Sequence, residues 1–450
     1  MELNLPQEFK LKYKSLLGDR ASRLFDAMEL ESSNAFRLNP LKENYKNVSI
    51  SLKSPIEYSK LGFFGDIDGN SIDHLAGYLY SQEPSAMFAA EVVNPSDEKV
   101  LDLCAAPGSK STHLASKMMG QGLLVSNEIN DKRARILSSN IERMGISNTV
   151  VTSNSPKDFE KSFSEYFDKI LVDAPCSGEG MFRKDPESVK FWSQEYVEQC
   201  ANRQKNILDS AYKLLKIGGT LVYSTCTFAP EENEQNIAYM LEKYPDLEIS
   251  EIEYFSGMED GRPKWGNGNT LLKKSVRMFP DEFDGEGHFI CKLIKSGDNE
   301  VKKTRIKEIN NNLKKEDLKL FRDFEQQNLT DKISESNLLK LNDYLINAAS
   351  LDNRFKDLHV LRNGLKLGEF KKNRLEPDIA WILGIQSKLL NSVYNLNEVE
   401  FEKYLHGEAL KIEENFDNKW IGLKYQDKLF SWGRYSNNQI KNVYPKGLRR

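Results

Sequence analysis

The sequence predicts an α/β protein built on an open, mainly parallel, Rossmann-like sheet, preceded by an α+β segment and followed by a β-rich domain. Three observations lead there. From about Lys99, short apolar runs alternate with stretches of helical periodicity, as in a sheet covered by helices on both faces. Every unusual motif falls where such a run ends, and open α/β sheets bind ligands beyond the carboxyl ends of their strands, near the point where strand order reverses. After about Lys295 the composition turns polar and charge-rich, which marks the end of that unit.

The elements follow in order. Residues 1–95 read as a mixed α+β cap, with "FRLNPLK" (Phe36 to Lys42) as its most basic turn, and "GYLYSQEPSAMFAAEVV" (Gly77 to Val93) leads from it into the sheet. Residues 96–297 carry the alternation. "KVLDLCA" is a short strand ending in the turn "APGSKS", and "THLASKM" continues at helical spacing. "GLLVSNEI" is a second strand, and "DKRARILSSNIERMG" a helix closed by Gly145. "NTVVTSN", "FDKILVDAP", a long helical stretch from Pro186 to about Lys216, a break at Gly218-Gly219 and the strand "TLVYSTCT" complete the pattern. Residues 298–377 read as a linker running into helix, and 378–450, with "KWIGLKYQDKLFSWGRY", as a small β domain.

Composition removes several function classes. With 39% hydrophobic and 29% charged residues and no apolar run near the ~18 to 20 residues of a membrane span, the chain is expected to be soluble. The start "MELNLPQEFK" lacks the features of a secretory signal, so a cytoplasmic protein is expected. Five widely spaced cysteines form no disulfide framework, and without C-x-x-C or H-E-x-x-H pairs no metal is expected. A net charge of −4 argues against a uniformly basic coat, although the last seventeen residues hold five Lys/Arg and no acid.

Three motifs carry chemistry. In "LDLCAAPGSKS" (Leu101 to Ser111) small residues and one glycine let backbone approach a ligand just before a helix N-terminus, whose free N–H groups favour an anionic group. Neither G-x-G-x-x-G nor the P-loop pattern is present, so a different nucleoside-bearing cofactor is indicated. Glu128 ends the second strand, twenty-six positions past Asp102, where an acid can accept hydrogen bonds from ribose hydroxyls. S-adenosylmethionine fits both features. The other motifs are "DAPCSGEGMFRKDP", with Asp173 and Cys176, and "YSTCTFAPEENE", with Cys226. Neighbouring strands lie about 4.8 Å apart, so adjacency of these two strands would bring both thiols to one substrate. Taken singly each cysteine reads as a small buried hydrophobe; both in turn-like sequence at strand ends do not. Cys200 and Cys291 read as core residues.

Together with "GEGHFICKL", these motifs resemble the RNA cytosine-5 methyltransferases of the Nol1/Nop2/Sun family, and within it the bacterial rRNA small-subunit methyltransferase F type. The resemblance extends to "GYLYSQEPSAMFAAEVV" and to the C-terminal "RNGLKLGEF", "YLHGEAL" and "NVYPKGLR". It implies a class I methyltransferase sheet, an N-terminal RNA-binding segment and a C-terminal PUA-like RNA-binding module. Cys226 would be the nucleophile and Cys176 would assist product release. Cys104, Ala105, Ala106, Pro107, Gly108, Ser109 and Lys110, with Glu128, Arg133 and Asp173, would contact S-adenosylmethionine or its surroundings. Where many relatives have an aspartate for the adenine, this chain has "TSNSP", leaving Asn154 or Ser155.

A thiolate adding to carbon 6 of cytosine makes carbon 5 nucleophilic enough to take a methyl group, and Asp173 is placed to bind the base's N3/N4 edge. The base must leave its stack, at a cost of a few kcal/mol, which RNA contacts elsewhere must offset. Candidates are Arg37, Lys42, Lys184, Arg434, Lys441 and Lys446, with Arg449 and the aromatic Trp432 and Tyr444. Lys184 reads first as half of an internal ion pair and second as a phosphate contact, and the two aromatics read at least as readily as core. The expected partner is RNA, as rRNA or the small ribosomal subunit, and the chain is expected to be a monomer. The competing readings are a tRNA cytosine-5 methyltransferase, a Cys176 nucleophile, a non-catalytic ribosome-assembly factor and a thiol redox protein.

Overall fold

Seven of the ten strands of the central sheet frame the site: β1 (Lys99–Asp102), β2 (Leu123–Asn127), β3 (Thr149–Thr152), β4 (Phe167–Asp173), β5 (Leu215–Thr225), β6 (His288–Lys295) and β7 (Val360–Asn363). The computed structural model describes residues 3–297 and 307–450; the stretch 298–306 of the expected linker lies outside the described residues. The strand order is β6-β5-β4-β1-β2-β3-β7, with Val276–Met278 and Met258–Asp260 continuing beyond β6. Strands β1 to β5 run parallel, while β6 and β7 are antiparallel to their neighbours. The chain steps outward through β1, β2 and β3, then returns to place β4 on the other side of β1. Strand order therefore reverses between β1 and β4, where such sheets bind ligands.

The sheet is buried on both faces because successive side chains point to opposite sides. Val100, Leu124, Val151, Leu171, Val222 and Ile290 pack on the face covered by α1 (Pro84–Val93), α2 (Ser109–Met118) and α3 (Asp131–Arg143). Leu101, Val125, Val150, Ile170, Tyr223 and Phe289 pack on the face covered by α4 (Pro156–Glu160), α5 (Gln194–Leu214) and α6 (Glu234–Lys243). Cys200 and Cys291 are buried in this interior.

Two local expectations change. The helical stretch from Pro186 divides into a 3-10 segment, Pro186–Phe191, and α5, because Ser193 turns extended and its side chain accepts from the Tyr196 amide as a new N-cap. Gly218-Gly219 does not break the chain before β5. The strand begins at Leu215, and the glycine pair is absorbed where the register with β4 jumps from Phe167↔Leu215 to Lys169↔Thr220.

The N-terminal segment is α+β: helices Gln7–Leu17 and Arg20–Glu29 precede a four-stranded sheet. Phe9 and Tyr13 of the first helix pack against Phe182, Trp192 and Phe228, tying this segment to the loops after β4 and β5. The stretch read as linker and helix holds Lys315–Asn328, but also a four-stranded sheet ending at Arg374–Pro377. Its strands are too short, and too interrupted by polar residues, to show in hydrophobic period alone. Within the same stretch, β7 joins the edge of the central sheet at β3. The chain ends in a five-stranded sheet from Val393–Asn395 to Gln439–Asn442. No helix among the described residues is long and apolar enough to cross a membrane.

Candidate active site

A cavity of about 750 Å³ opens at the carboxyl ends of β1, β2, β4 and β5. Its size lies within the range of ligand pockets. Leu103, Cys104 and Ala106 come from the turn after β1, Glu128 and Arg133 from the region after β2, and Asp173 to Cys176 from the end of β4. Cys226, directly after β5, completes the wall. A larger concavity of about 850 Å³ between Tyr58, Phe88, Lys117 and Lys292 has no cysteine at its wall.

The turn after β1 is built for close approach. Gly108 adopts φ +114°, and a Cβ there would lie 3.1 Å from Leu137 Cδ1, so only glycine fits comfortably between the turn and α3. Asn127 staples three strand ends together: its amide donates to Leu103 O (3.2 Å) and Asn154 O (2.9 Å), and its carbonyl accepts from Thr152 Oγ1 (2.9 Å). Beneath the turn the buried Asp102 accepts from Ser111 Oγ (2.7 Å), while its Oδ1 has no hydrogen-bond partner among the described residues. Burial pushes Asp102 up to about 7.

Asp173 accepts from Lys110 Nζ (2.8 Å) through one oxygen and from Ser224 Oγ (2.7 Å) through the other. Burial alone would raise this carboxyl. The Lys110 ammonium, His288 and the bonds from Lys110 and Ser224 together outweigh it and hold the carboxyl below the usual range. Strands β4 and β5 are neighbours, with Asp173 opposite Ser224, so the two cysteines meet: Cys176 Sγ lies 3.3 Å from Cys226 Sγ. All five cysteines are free. The bond to Cys226 and burial together push the Cys176 thiol well above its ordinary value.

The geometry sorts the sequence-derived residues. Cys104, Ala106, Glu128, Arg133, Ser155 and Asp173 line the cavity, as do both cysteines. Ala105, Pro107, Gly108 and Ser109 form the turn without lining it. Lys110 is corrected from cofactor contact to strut, being 7% exposed and fixed on Asp173. Asn154 is likewise diverted, because its side chain bonds the His359 backbone in both directions; Ser155 is the one of the pair that faces the cavity.

Among the RNA candidates, Arg37 is fully buried and donates to Gln82, Ser109 O (3.1 Å) and Thr112 Oγ1 (2.8 Å). It braces α2 and is not a surface contact. Lys42 donates to Leu383 O (2.5 Å), and burial, with Arg143 nearby, pushes it down to about 7, so it pins the N-terminal segment to the C-terminal region. The ion pair expected at Lys184 belongs to its neighbour: Arg183 holds Glu286 at 2.6 Å, and Lys184 forms no ion pair among the described residues. Trp432 and Tyr444 are core residues, and Arg449 is spent on Tyr444 O and Asn442. Arg434 and Lys441 stand opposite each other across two strands, and Lys441 and Lys446 are exposed.

The sequence reading missed Tyr196, Arg203, Ile207 and Ser210 of α5, which also line the cavity. Their spacing of seven, four and three is one helical face, a signal that was present but looks the same as ordinary amphipathicity. Among the described residues no group of three His, Cys, Asp or Glu side chains could hold a metal ion.

Comparison with known proteins accounts for the chain from end to end. Residues 90–294 match the family described as 16S rRNA methyltransferase RsmB/F. Residues 5–84 match the N-terminal domain of 16S rRNA methyltransferase RsmF, 323–385 the RsmF rRNA methyltransferase first C-terminal domain, and 391–450 the methyltransferase RsmF PUA domain. The ribosomal RNA small subunit methyltransferase F of Vibrio cholerae serotype O1 is 31% identical over 479 aligned positions, covering 100% of this chain and 98% of its own. That of Pectobacterium atrosepticum is 39% identical over 234, covering 51% and 47%. A solved methyltransferase homolog protein from Pyrococcus horikoshii is 30% identical with a TM-score of 0.58, covering 65% of this chain and 96% of its own. The Rossmann-like sheet, the α+β start and the β-rich PUA end thus recur together in proteins of one kind, and the chain belongs to the 16S rRNA methyltransferase RsmB/F family.

Proposed function

We propose that this protein methylates carbon 5 of a cytosine in RNA, with 16S rRNA of the small ribosomal subunit as substrate and S-adenosylmethionine as cofactor. One observation carries the reading: two free thiols 3.3 Å apart on the wall of a cavity that Glu128 and Asp173 also line. The residues present fit the cofactor. Glu128, on the cavity wall, supplies an acceptor for ribose hydroxyls, and the Gly108 turn brings backbone close. When bound, S-adenosylmethionine supplies an electrophilic methyl group.

Cys226 Sγ bonds to carbon 6 of the base, and the ring's 5,6 electron pair moves to carbon 5, which takes up the methyl. Asp173, held ionised by Lys110, accepts a hydrogen bond from the exocyclic amino group and so favours cytosine over uracil. Cys176, 3.3 Å from Cys226 Sγ, is the second group at the base. Once Cys226 is bonded to carbon, the Cys176 thiol gives its proton to solvent, and the thiolate, or a water it orients, takes the proton from carbon 5. That electron pair re-forms the 5,6 double bond and expels Cys226. Arg434, Lys441 and Lys446 hold RNA phosphates on the PUA domain, so binding is expected to weaken steeply with salt.

The test incubates the protein with methyl-labelled S-adenosylmethionine and unmodified 16S rRNA, small subunits or tRNA, followed by nucleoside mass spectrometry. Labelled 5-methylcytidine in 16S rRNA or small subunits is expected. Label confined to tRNA would change the substrate, and no label with no cofactor binding would sink the reading in favour of an assembly factor. Glu128→Ala is expected to weaken S-adenosylmethionine binding by about 10- to 100-fold, the worth of a charge-assisted hydrogen bond, by calorimetry. Unaltered affinity would remove Glu128 from the cofactor site.

A further inference from the structure

The two cysteine-bearing loops are joined, behind the thiols, by a buried chain of oxygens that nothing in the mechanism above uses. Glu232 Oε1 contacts Ser177 Oγ, Ser177 Oγ lies 2.9 Å from Thr227 Oγ1, and Thr227 Oγ1 lies 2.8 Å from Glu179 Oε2. Ser177 follows Cys176 and Thr227 follows Cys226, so the chain runs directly between the two reactive residues. Glu232, Thr227 and Glu179 are fully buried.

Counting hydrogens decides its state. The chain has three links, and each needs one proton between its oxygens. The two hydroxyls supply two, so one carboxyl must supply the third. Glu179 is surrounded by other donors, Tyr13 OH, Trp192 Nε1 (2.7 Å) and the Phe228 amide (3.1 Å), which suits a charged carboxylate. Glu232 receives its two N–H bonds, from Ser177 N (3.0 Å) and Gln204 Nε2 (2.7 Å), on Oε2 alone. This leaves Oε1 as the hydroxyl end of a neutral acid. Burial, partly opposed by Ser177 and Gln204 and reinforced by Glu179, pushes Glu232 up to about 7. The titratable groups acting on it are Glu179, Cys176, Cys200 and Tyr223.

We propose that Glu232 is a positioning residue whose proton completes the chain Glu232–Ser177–Thr227–Glu179 and so holds the Cys176 loop in register with Cys226 for product release. The inference rests on the covalent reading above. Loss of the proton leaves two hydrogens for three links, so one bond of the chain between the two loops is lost, while the Ser177 amide (3.0 Å) and Gln204, which also donates to Pro175 O (3.1 Å), still tie the Cys176 loop.

The test compares full-length Glu232→Gln and Glu232→Ala with wild type and Cys176→Ala. It uses the unmodified RNA that wild type methylates and measures methyl transfer and the denaturant-resistant protein–RNA adduct from pH 6 to 9. A glutamine presents N–H to Ser177 and C=O to the two N–H donors, reproducing the neutral acid. Glu232→Gln is therefore expected to release product with no rise of adduct at alkaline pH. Wild type is expected to accumulate adduct as pH rises through 7, and Glu232→Ala to hold at least tenfold more adduct than wild type at pH 6. If Glu232→Ala does not fold, Ser177→Ala, which removes the same link, takes its place. Equal defects in glutamine and alanine variants, or normal release by the alanine variant, would overturn the proposal. A merely structural role lowers adduct and product together. Absence of adduct in Cys176→Ala would instead indict the covalent reading itself.

Discussion

Cys226→Ala is expected to lose methyl transfer by at least about 10⁴-fold, because covalent activation of carbon 5 depends on the thiol that bonds carbon 6. It should form no adduct with RNA. Cys176→Ala is expected to behave oppositely: it bonds and methylates the base but releases it about 10² to 10⁴-fold more slowly, the range for loss of a proton-transfer group. It should therefore run as a protein–RNA band on a denaturing gel. The 3.3 Å contact between the sulfurs puts both thiols at one base and is itself symmetric, so the opposite behaviour of the two variants is what assigns the roles. An adduct trapped in Cys226→Ala and absent in Cys176→Ala would reverse the two roles. A disulfide between them under mild oxidation, with methyl transfer absent, would favour a redox protein.

Arg277→Met is expected to destabilise the protein by about 3 to 5 kcal/mol, the cost of stranding a buried charge. Arg277 is 1% exposed and donates to both oxygens of the fully buried Glu234 and to Phe228 O (3.0 Å). Glu234 closes the "PEENE" turn that follows Cys226, and Trp265 lies over the guanidinium at 4.5 Å. Replacing both partners by apolar residues should recover only part of the loss, because Phe228 O and the Arg262 amide, which donates to Glu234 (3.0 Å), would remain unpaired. Urea unfolding of wild type, Arg277→Met and the double replacement measures this. A loss under about 1 kcal/mol for Arg277→Met would show that water or another side chain takes over the charge.

Burial separates what could be read from residues from what could not. Arg37 and Lys42 looked like basic surface because a sequence shows charge but not depth. In the fold, one is enclosed by Gln82 and Thr112 and the other by Leu383, partners 45 to 341 positions away. Lys184 was one position from the residue that makes the ion pair, a distinction set by which side chain faces Glu286. The strands between 338 and 377 escaped notice because short strands gain their stability from partners across the sheet and carry little local signal.

The sequence by itself carried the Rossmann-like alternation and the placing of Glu128, Asp173, Cys176 and Cys226 at or just beyond strand ends. Hydrophobic period and turn residues are local properties, readable within ten or fifteen positions. Only the tertiary structure decided that β4 lies beside β5, that Cys176 and Cys226 therefore touch across fifty residues of chain, and that Glu232 and Glu179 share a hydrogen-bonded chain behind them. Such contacts depend on long-range pairing and on water being excluded, and those are settled when the whole core closes.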